Sequence, residues 1–436
     1  MKNIRWYVFW IIDFLKGRPV RKYYNEVKDS FIHGTSTEYT QTKIRQLINH
    51  AVKTTDFYQS YNRYPDINQL PVMNKSLYKD HYDKFLSSKY KNAKSIRKKR
   101  TSGSTGIPFT MVQNRDKIHH NTAASIFLCS LGSYFIGMKQ AFIRVWLDRN
   151  KKSRFRSILE NIWMIDASKL DEKRIKTISK HLLDKNYKSV WSYALSLLAI
   201  NQYLNENPAE LKKSKIQSII AQSEALPDSV RKELGEKFSC VVTSIYSNQE
   251  NGIMGIQDKA SMEYYIDTSS YFVEFLKLDS DVAVDEGELG RIIITDLYNY
   301  AFPILRYYTG DLAKHKITIQ NGRQRLILTE LFGRHTDTIF DCNGIEISPF
   351  AISSRLADLD DIKQWQLIQV GQGDYQFIIN PKSKMFDEAF AKELLLQALG
   401  ENAHIEIQYT DEIPVLASGK RRRIVNLCVE NKAEGN

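Results

Sequence analysis

One segment in the middle of the chain constrains the fold most. Residues 216–221 form a short apolar run typical of a buried strand, and residues 241–246 have the same character. Between them, Pro227 precedes an amphipathic helix predicted over residues 228–238. A strand, a helix and a strand in so short a span predict a βαβ unit. Such units build parallel sheets that bind ligands in the loops beyond the carboxyl ends of their strands.

The chain as a whole is predicted to form two domains. Its 436 residues are 42% hydrophobic, enough for a sizeable core, and at about 100–200 residues per domain two or three domains are expected. We predict a large α/β domain over residues 1–333, whose first part, to about residue 95, is mostly helical. A hairpin over residues 366–380 and a helix over residues 387–399 predict a small α+β domain over residues 334–436.

The N-terminal segment is almost continuously apolar from Ile4 to Leu15. It is too short to span a membrane, which takes about 20 apolar residues. A basic stretch follows it where a secretory signal would have a small-residue cleavage site, so we expect no such signal. We favour a helix docked on the protein's own core. The alternative is an interfacial helix, with Trp6, Trp10 and Phe14 in the inner face of a membrane and the basic residues on anionic lipid.

The net charge of +12 permits several classes of acidic partner. Basic clusters at residues 97–100 and 151–156 are typical of solvated faces or loops. The sequence has no zinc-finger spacing, RNP-like motif or basic zipper, so we expect no specific nucleic-acid partner. The cysteines form no CxxC pair, which predicts reduced thiols in a cytoplasmic protein. They are Cys129, Cys240, Cys342 and Cys428.

A polar, glycine-rich turn at residues 101–108 carries the first candidate chemistry. Its amides and hydroxyls can approach phosphate oxygens closely, because glycine has no side chain to hold a ligand away. The turn lacks the Lys-Ser/Thr ending of a Walker A loop, which argues against an ordinary P-loop NTPase. The candidate phosphate-binding residues are Thr101, Ser102, Gly103, Ser104, Thr105 and Gly106.

Further short motifs follow this turn along the chain. They are Tyr246-Ser247-Asn248-Gln249-Glu250, Tyr308-Thr309-Gly310-Asp311, Gly333-Arg334 and Ser418-Gly419-Lys420. Taken in this order with the turn, they resemble the core motifs of the adenylate-forming superfamily. Within it, the chain resembles the phenylacetate-CoA ligase family and its CapK-like branch, associated with capsular polysaccharide biosynthesis. The resemblance covers about residues 70–425. It implies an active site between a large N-terminal domain and a small, mobile C-terminal domain.

The resemblance also implies roles for individual residues. The glycine-rich turn would wrap the β- and γ-phosphates of ATP. Tyr246 would stack on adenine, and Glu250 would ligate Mg²⁺, a hard cation that suits a carboxylate oxygen. Asp311 would accept hydrogen bonds from the ribose hydroxyls, Arg334 would contact the ribose or the phosphates, and Glu224 would border the adenine.

Lys420 is the predicted catalytic residue. A cationic amine near the acyl carboxylate and the α-phosphate offsets charge where two anions must meet in an in-line displacement. The sequence departs from the family pattern at Thr336, where many relatives have the aspartate about which the small domain rotates between half-reactions. If Thr336 impairs that rotation, adenylate forms but thioester does not. The chain also has Phe109 after Pro108, where many relatives have a lysine.

The implied activity is ATP-dependent activation of a carboxylic acid. The acid and Mg·ATP would give an acyl-adenylate and pyrophosphate. The acyl group would then pass to a thiol, coenzyme A, in an AMP-forming, phenylacetate-CoA ligase-like reaction. Three alternatives stay open. They are an amine or hydroxyl acceptor on a sugar intermediate of a surface polysaccharide, a non-catalytic nucleotide-binding relative, and a basic protein of a membrane or nucleic-acid surface.

Overall fold

The structure is a computed structural model that divides the chain into two compact units. The large unit comprises Met1–Thr101, Pro108–Thr309 and Ala313–Glu330, and the small unit holds Gly310–Leu312 and Leu331–Asn436. The structure describes residues 3–61, 66–100, 110–144, 146, 151–167, 172–223, 225–334, 339–344, 346–347, 352, 355–356, 359, 361–382, 386–413 and 423–428.

Helices dominate the first part of the large unit, as predicted. None of the helices in the described ranges is long and apolar enough to cross a membrane. The α-helices described are α1 (Ile4–Leu15), α2 (Pro19–His33), α3 (Thr37–Thr54), α4 (Lys75–Asp80), α5 (Tyr82–Phe85), α6 (Arg115–Leu131), α7 (Arg154–Glu160), α8 (Glu172–Asp184), α9 (Ala194–Glu206), α10 (Asp228–Phe238) and α11 (Glu388–Leu399).

Strands make up most of the remainder. Those described are β1 (Thr35–Ser36), β2 (Arg97–Arg100), β3 (Thr110–Gln113), β4 (Gln140–Arg144), β5 (Ile162–Asp166), β6 (Ser189–Tyr193), β7 (Ser218–Gln222), β8 (Val241–Asn248), β9 (Gly252–Gln257), β10 (Tyr264–Ile266), β11 (Tyr271–Leu276), β12 (Gly290–Asp296), β13 (Tyr307–Gln320), β14 (Arg323–Arg334), β15 (Ile339–Phe340), β16 (Glu346–Ile347), β17 (Ile362–Gly371), β18 (Asp374–Pro381), β19 (His404–Tyr409) and β20 (Ile424–Asn426).

A mixed 12-stranded sheet is the largest element of the fold. Its order is β11-β12-β13-β14-β10-β9-β8-β7-β6-β4-β5, and β1 pairs with β14. The neighbours β5, β4, β6, β7 and β8 all run parallel. The predicted βαβ unit is therefore confirmed, with α10 connecting β7 and β8. Because parallel strands end at the same edge, the loops after β6, β7 and β8 meet there.

Apolar packing fixes the parallel strands against their helices. Leu197 of α9, Ile219 of β7 and Leu234 of α10 lie in one cluster, and none is more than 1% exposed. Burying each such side chain stabilises the fold by roughly 1.5–3 kcal/mol. The sheet edge that carries the loops thus stands on a rigid base.

The N-terminal helix α1 docks on the core through one face, as favoured from the sequence. Phe9 and Trp10 pack against the cluster that contains Leu47 and Phe302. The buried carboxylate of Asp13 accepts hydrogen bonds from the backbone N–H groups at the start of α2. The donors are Val20, at 2.9 Å, and Arg21, at 3.0 Å. Asp13 therefore supplies the acceptor that α2 lacks at its own first turn.

Helix α6 runs from Arg115 to Leu131 and stops before Gly132. A Cβ at Gly132 would lie 2.5 Å from Cγ2 of Thr243, so glycine allows the helix end to approach the sheet closely. The basic run 97–100, for which a solvated face or a loop was expected, is strand β2; Arg97 and Lys98 are exposed, so the run is a solvated face and not a loop. Its backbone pairs with β3, and Lys98 lies opposite Val112.

The small unit contains its own sheet and core. The sheet order is β19-β18-β17-β20, with an antiparallel β17–β18 hairpin and parallel β19 and β20 at its edges. Leu367, Phe377 and Leu395 of α11 are buried in one apolar cluster. These elements match the hairpin and helix predicted for the C-terminal part of the chain.

Candidate active site

The structure describes only part of the predicted site. Tyr246, Glu250 and Asp311 are described with their side chains, and Arg334 with its backbone alone. The other predicted residues lie outside the described residues, and their roles stay predictions. They are Thr101, Ser102, Gly103, Ser104, Thr105, Gly106, Glu224, Thr336 and Lys420.

The carboxyl ends of the parallel strands place polar residues at one edge. Gln222 of β7 lies opposite Tyr193 of β6, and Ala221 lies opposite Ser244 of β8. The chain then leaves β7 through Ser223, whose φ of 80° is in the left-handed region and turns it away from the strand direction. Tyr246 belongs to the same part of β8. The topology therefore gathers the predicted adenine-binding segment at the ligand edge of the sheet.

Tyr246 is held in place by strand β13. Its ring is buried, and its hydroxyl lies 3.4 Å from Oγ1 of Thr309 as a hydrogen-bond donor. Thr309 in turn donates to the carbonyl oxygen of Ile292, at 3.2 Å. Asp311, two residues further along β13, is half-buried and is grouped with the small unit.

Glu250 is buried in the loop after β8, where two groups contact one of its carboxylate oxygens. Nζ of Lys75 lies 3.3 Å from Oε1, and the hydroxyl of Tyr307 donates to the same atom at 3.4 Å. Lys75 reaches this position because Met73 pairs with β13 through the backbone. Within the described part of the chain, Oε2 of Glu250 makes no hydrogen bond or ion pair. That oxygen is the one able to meet a cation.

The backbone around Glu250 is fixed from several sides. Nε2 of Gln113 donates to the carbonyl oxygen of Glu250, at 3.3 Å. The next residue, Asn251, donates its N–H to Oδ1 of Asn248 at 2.7 Å, and its carbonyl accepts from the Tyr271 hydroxyl at 2.7 Å. The carboxylate is therefore presented by a loop with little freedom, which lowers the cost of ordering it around a ligand.

A buried ion pair supports this loop from below. Nζ of Lys117 lies 3.0 Å from the Tyr271 hydroxyl and 2.7 Å from Oδ2 of Asp296, and both charged side chains are at most 1% exposed. Burial lowers the pKa of Lys117, and the nearby Asp296 carboxylate opposes that shift. Burial also raises the pKa of Asp296, which the ammonium opposes. Each charge is tolerated because the other is present.

A second buried polar group lies beside this pair. Nδ1 of His120 is 2.9 Å from Oγ of Ser270, which is also hydrogen-bonded to the carboxylate of Asp267. Burial holds the pKa of His120 well below its ordinary value, and the positive charges of Lys117 and Lys43 act in the same direction. His120 is therefore neutral at physiological pH and packs its ring against Tyr298.

The donor set around Glu250 fits the predicted Mg²⁺ with substrate phosphates as the other ligands. No group of three His, Cys, Asp or Glu side chains able to hold a metal occurs among the described residues. Mg²⁺ commonly takes only one or two carboxylates and completes its shell with phosphate oxygens and water. A single buried carboxylate, one of whose oxygens makes no hydrogen bond or ion pair with the described residues, satisfies that requirement.

Sequence reasoning missed the residues that position Glu250. Gln113, Lys117 and Tyr307 carry no motif, and Lys75 lies in a part of the chain predicted only as helical. The sequence did allow one prediction: Asn74 precedes Lys75 and caps α4, so the start of that helix could have been predicted. The pairing of Met73 with β13 was not readable, because it joins distant parts of the chain.

Known proteins resemble this chain over its whole length or over part of it. No family model matches it. It is 23% identical to protein CapK of Staphylococcus aureus over 435 residues, which cover 95% of this chain and 94% of that protein. It is 25% identical to the phenylacetate-coenzyme A ligase of Thermus thermophilus over 177 residues, which cover 39% of this chain and 38% of that protein.

Solved structures show the same fold. A 2-hydroxyisobutyryl-CoA ligase in the postadenylation state, in complex with 2-HIB-AMP, matches with a TM-score of 0.69 and 13% identity, over 91% of this chain and 92% of that one. The anthranilate CoA ligase AuaEII in complex with anthranoyl-AMP matches with a TM-score of 0.53 and 14% identity, over 77% and 66% of the two chains. The α/β fold class, with a large N-terminal and a small C-terminal domain, is thereby confirmed.

Proposed function

We propose, for a chain related to the CapK-like branch of the adenylate-forming superfamily, that it activates a carboxylic acid with ATP. The reaction joins the acid to the α-phosphate of ATP, forming an acyl-adenylate and releasing pyrophosphate. The observation that carries this proposal is the buried carboxylate of Glu250, in the loop that follows Tyr246 and β8 at the carboxyl edge of the parallel strands.

Each described residue has a separate task in this reaction. Tyr246 borders the adenine, and its hydroxyl bond to Thr309 keeps the aromatic ring in one orientation. Glu250 offers Oε2 to Mg²⁺, which neutralises phosphate charge when it is bound. Lys75 and Tyr307 hold the other oxygen, so the carboxylate cannot rotate away. Asp311 is assigned to the ribose hydroxyls.

The remaining tasks fall to residues known from the sequence motifs alone. The turn of Thr101 to Gly106 encloses the β- and γ-phosphates, Glu224 borders the adenine, and Arg334 contacts the ribose or the phosphates. Lys420 places its ammonium where the acyl carboxylate meets the α-phosphate. Offsetting the repulsion between two anions lowers the barrier of this step. We place the reaction in the cytoplasm, where ATP is abundant.

Release of pyrophosphate tests the first half-reaction. Purified protein is given Mg·ATP and a panel of carboxylic acids, and pyrophosphate is measured. We expect release with a subset of the acids and its loss in Lys420→Ala. A matched control is Lys314→Ala, because Lys314 forms a half-exposed ion pair with Glu330. Unchanged pyrophosphate release in Lys420→Ala would show that Lys420 does not act in the reaction. If none of the acids in the panel led to pyrophosphate release, the proposed function would be wrong.

The second half-reaction transfers the acyl group to coenzyme A. The thiol sulfur loses its proton and bonds to the carbonyl carbon of the acyl-adenylate. The bond between that carbon and the phosphate oxygen breaks, and AMP leaves with the electron pair of that bond. Thr336 at the hinge position favours a second candidate, in which an amine or hydroxyl of a sugar intermediate of a surface polysaccharide is the acceptor. Acceptor-dependent release of AMP distinguishes the two. If Thr336→Asp formed more thioester than the unchanged protein, coenzyme A would be the acceptor. If AMP were released only with amino sugars, the acceptor would be the amine or hydroxyl of a sugar intermediate.

A further inference from the structure

The outer face of α1 is an exposed apolar stripe. Ile4, Val8, Ile11 and Leu15 follow one another at helical spacing and are 78%, 46%, 57% and 76% exposed. A lone exposed apolar residue is ordinary on a soluble protein, but a continuous stripe marks an interaction surface. The opposite face of α1 carries Phe9 and Trp10 into the core. The helix is therefore apolar on both sides, and the described residues cover only one of them.

Helix α7 extends this surface. Phe155, Ile158 and Leu159 are 78%, 70% and 60% exposed. The two helices are neighbours, because the guanidinium of Arg5 donates to the carbonyl oxygen of Ile158 at 3.4 Å. The side-chain amide of Asn3 also donates to the carbonyl of Ile136, in the turn that joins α6 to β4, at 2.9 Å. The outer faces of α1 and α7 thus belong to one surface of the large unit, termed the α1–α7 face.

Positive charge surrounds the α1–α7 face. Between Ile4 and Lys22 the only acidic residue is Asp13, and it is buried beneath the helix. The exposed cations that flank the face are Lys16, Arg18, Arg21 and Lys22 after α1, with Lys151, Arg154 and Arg156 at the start of α7. Apolar side chains bordered by exposed cations match the chemistry of an anionic membrane surface.

A cationic cavity opens beside the start of α7. It has a volume of about 440 Å³, and its lining includes Arg144, Lys151, Lys152 and Arg156. The guanidinium of Arg144 lies 5.3 Å from the centre of the Trp146 ring. Its Nε is buried and has no hydrogen-bond partner among the described residues. Two of these cations, Lys152 and Arg156, pair with the carboxylate of Glu160. Four cations against one acid still leave an excess of positive charge, which suits a phosphate group.

We propose that the α1–α7 face docks on an anionic lipid bilayer. The apolar side chains of α1 and α7 enter the headgroup region, and the cations around α7 contact lipid phosphates. A second copy of the chain fits the surface less well. An isologous dimer would bring the same cation-rich rim of both copies together, and like charges would repel each other.

Flotation of the full chain with vesicles tests the proposal. Vesicles of phosphatidylcholine alone are compared with vesicles of phosphatidylcholine and phosphatidylglycerol in equal amounts. We expect the anionic vesicles to bind at least about tenfold more protein, because each cation near the surface contributes to binding. Raising NaCl to about 1 M, where the screening length falls to about 3 Å, should release much of it.

Substitutions locate the contact. Ile11→Glu with Leu15→Glu, and separately Phe155→Glu with Ile158→Glu, should each lower the ratio of bound to free protein by about tenfold or more, because a charge replaces an apolar group that would enter the bilayer. The matched control is Ile319→Glu, an equally drastic change at a residue 68% exposed outside the α1–α7 face. Thermal unfolding checks that the variants fold, since every substituted residue is exposed.

Other results would overturn the proposal. Equal binding to both kinds of vesicle, or unchanged binding in both double variants, would exclude docking of an anionic bilayer through this face. A concentration-dependent dimer in sedimentation that both double variants abolish, without vesicle binding, would assign the face to a second copy. Pyrophosphate release does not depend on these residues, so it reports on the proposed function separately.

Discussion

The surroundings of Glu250 and the α1–α7 face differ in the kind of side chain that they bury and expose. Around Glu250, charged and polar groups such as Lys117, Asp296 and His120 are buried. On the α1–α7 face, large apolar groups such as Ile4 and Phe155 are exposed. Both arrangements cost free energy in isolation, since buried charge loses hydration and exposed apolar surface orders water.

The difference shows which of the two regions already has its interaction partners within the folded chain. Each buried charge near Glu250 has a partner within the large unit, so that cost is already offset in the folded chain. The apolar stripe of α1 has no cover among the described residues, so its free energy is available to a partner. We therefore assign catalysis to the preorganised site around Glu250 and docking of a partner to the uncovered α1–α7 face.

The largest expected effect tests whether the buried pair is structural. Lys117→Ala leaves the Asp296 carboxylate buried without its cation, which we expect to lower the free energy of unfolding by about 3–5 kcal/mol. Lys314→Ala is the control, because it removes a partner from an exposed pair and should cost about 0–1 kcal/mol. Urea unfolding measures both. Equal losses would mean that the pair does not support the Glu250 loop.

A smaller effect tests preorganisation directly. Tyr307→Phe removes the hydroxyl that holds Oε1 of Glu250 and leaves the ring in the core. We expect the Mg²⁺ concentration that half-saturates pyrophosphate release to rise about 10- to 100-fold, as for other partners of metal ligands. The fold should be retained, so thermal unfolding accompanies the titration. An unchanged Mg²⁺ requirement would mean that Tyr307 does not contribute to metal binding.

The pH dependence of stability tests the buried histidine. The pKa of His120 is held below its ordinary value of 6.5 in the folded chain, so the unfolded chain binds more protons below that pH. Stability attributable to His120 is therefore present above pH 6.5 and is lost on acidification. Between pH 7.5 and pH 5.5 it should fall by about 1 kcal/mol. Urea unfolding of His120→Gln should lack this part of the loss; an identical pH profile would contradict the assignment.

The smallest effect comes from the exposed region. Ile11→Ser should change the free energy of unfolding by no more than about 0.5 kcal/mol, because Ile11 contributes little to the core. The same change should weaken vesicle binding. A loss of several kcal/mol in urea unfolding would mean that the α1 stripe is covered in the folded chain, and the contrast between the two regions would fail.

Local elements were largely predictable from the sequence. Helix α10 has the predicted bounds, because Pro227 marks its start and its amphipathic pattern is short and regular. The turn at Asn321-Gly322 is likewise a local feature, because an Asn-Gly pair is typical of tight hairpins and both residues adopt the left-handed φ that such a turn requires. These features depend on neighbours along the chain.

The support of the candidate site was not predictable in the same way. Lys117 belongs to no motif, and a lysine on a helix is expected to face water. Its burial is tolerated because β11 and β12 bring Tyr271 and Asp296 to it. Motif spacing identified Glu250, whereas its contact with Lys75 arises from a pairing between distant segments. Long-range packing decides such contacts.

The carboxylate of Asp13 also sets the rotation of α1 about its own axis. It must face the first turn of α2 to accept from Val20 and Arg21. Residues of an α-helix advance by about 100° each, so Ile4 and Ile11 are turned by about 180° and 160° from Asp13. One buried acid thus selects which side of an almost wholly apolar helix meets the surroundings. A chain that moved this acid by two positions would turn a different set of side chains outward, with the same composition and the same fold.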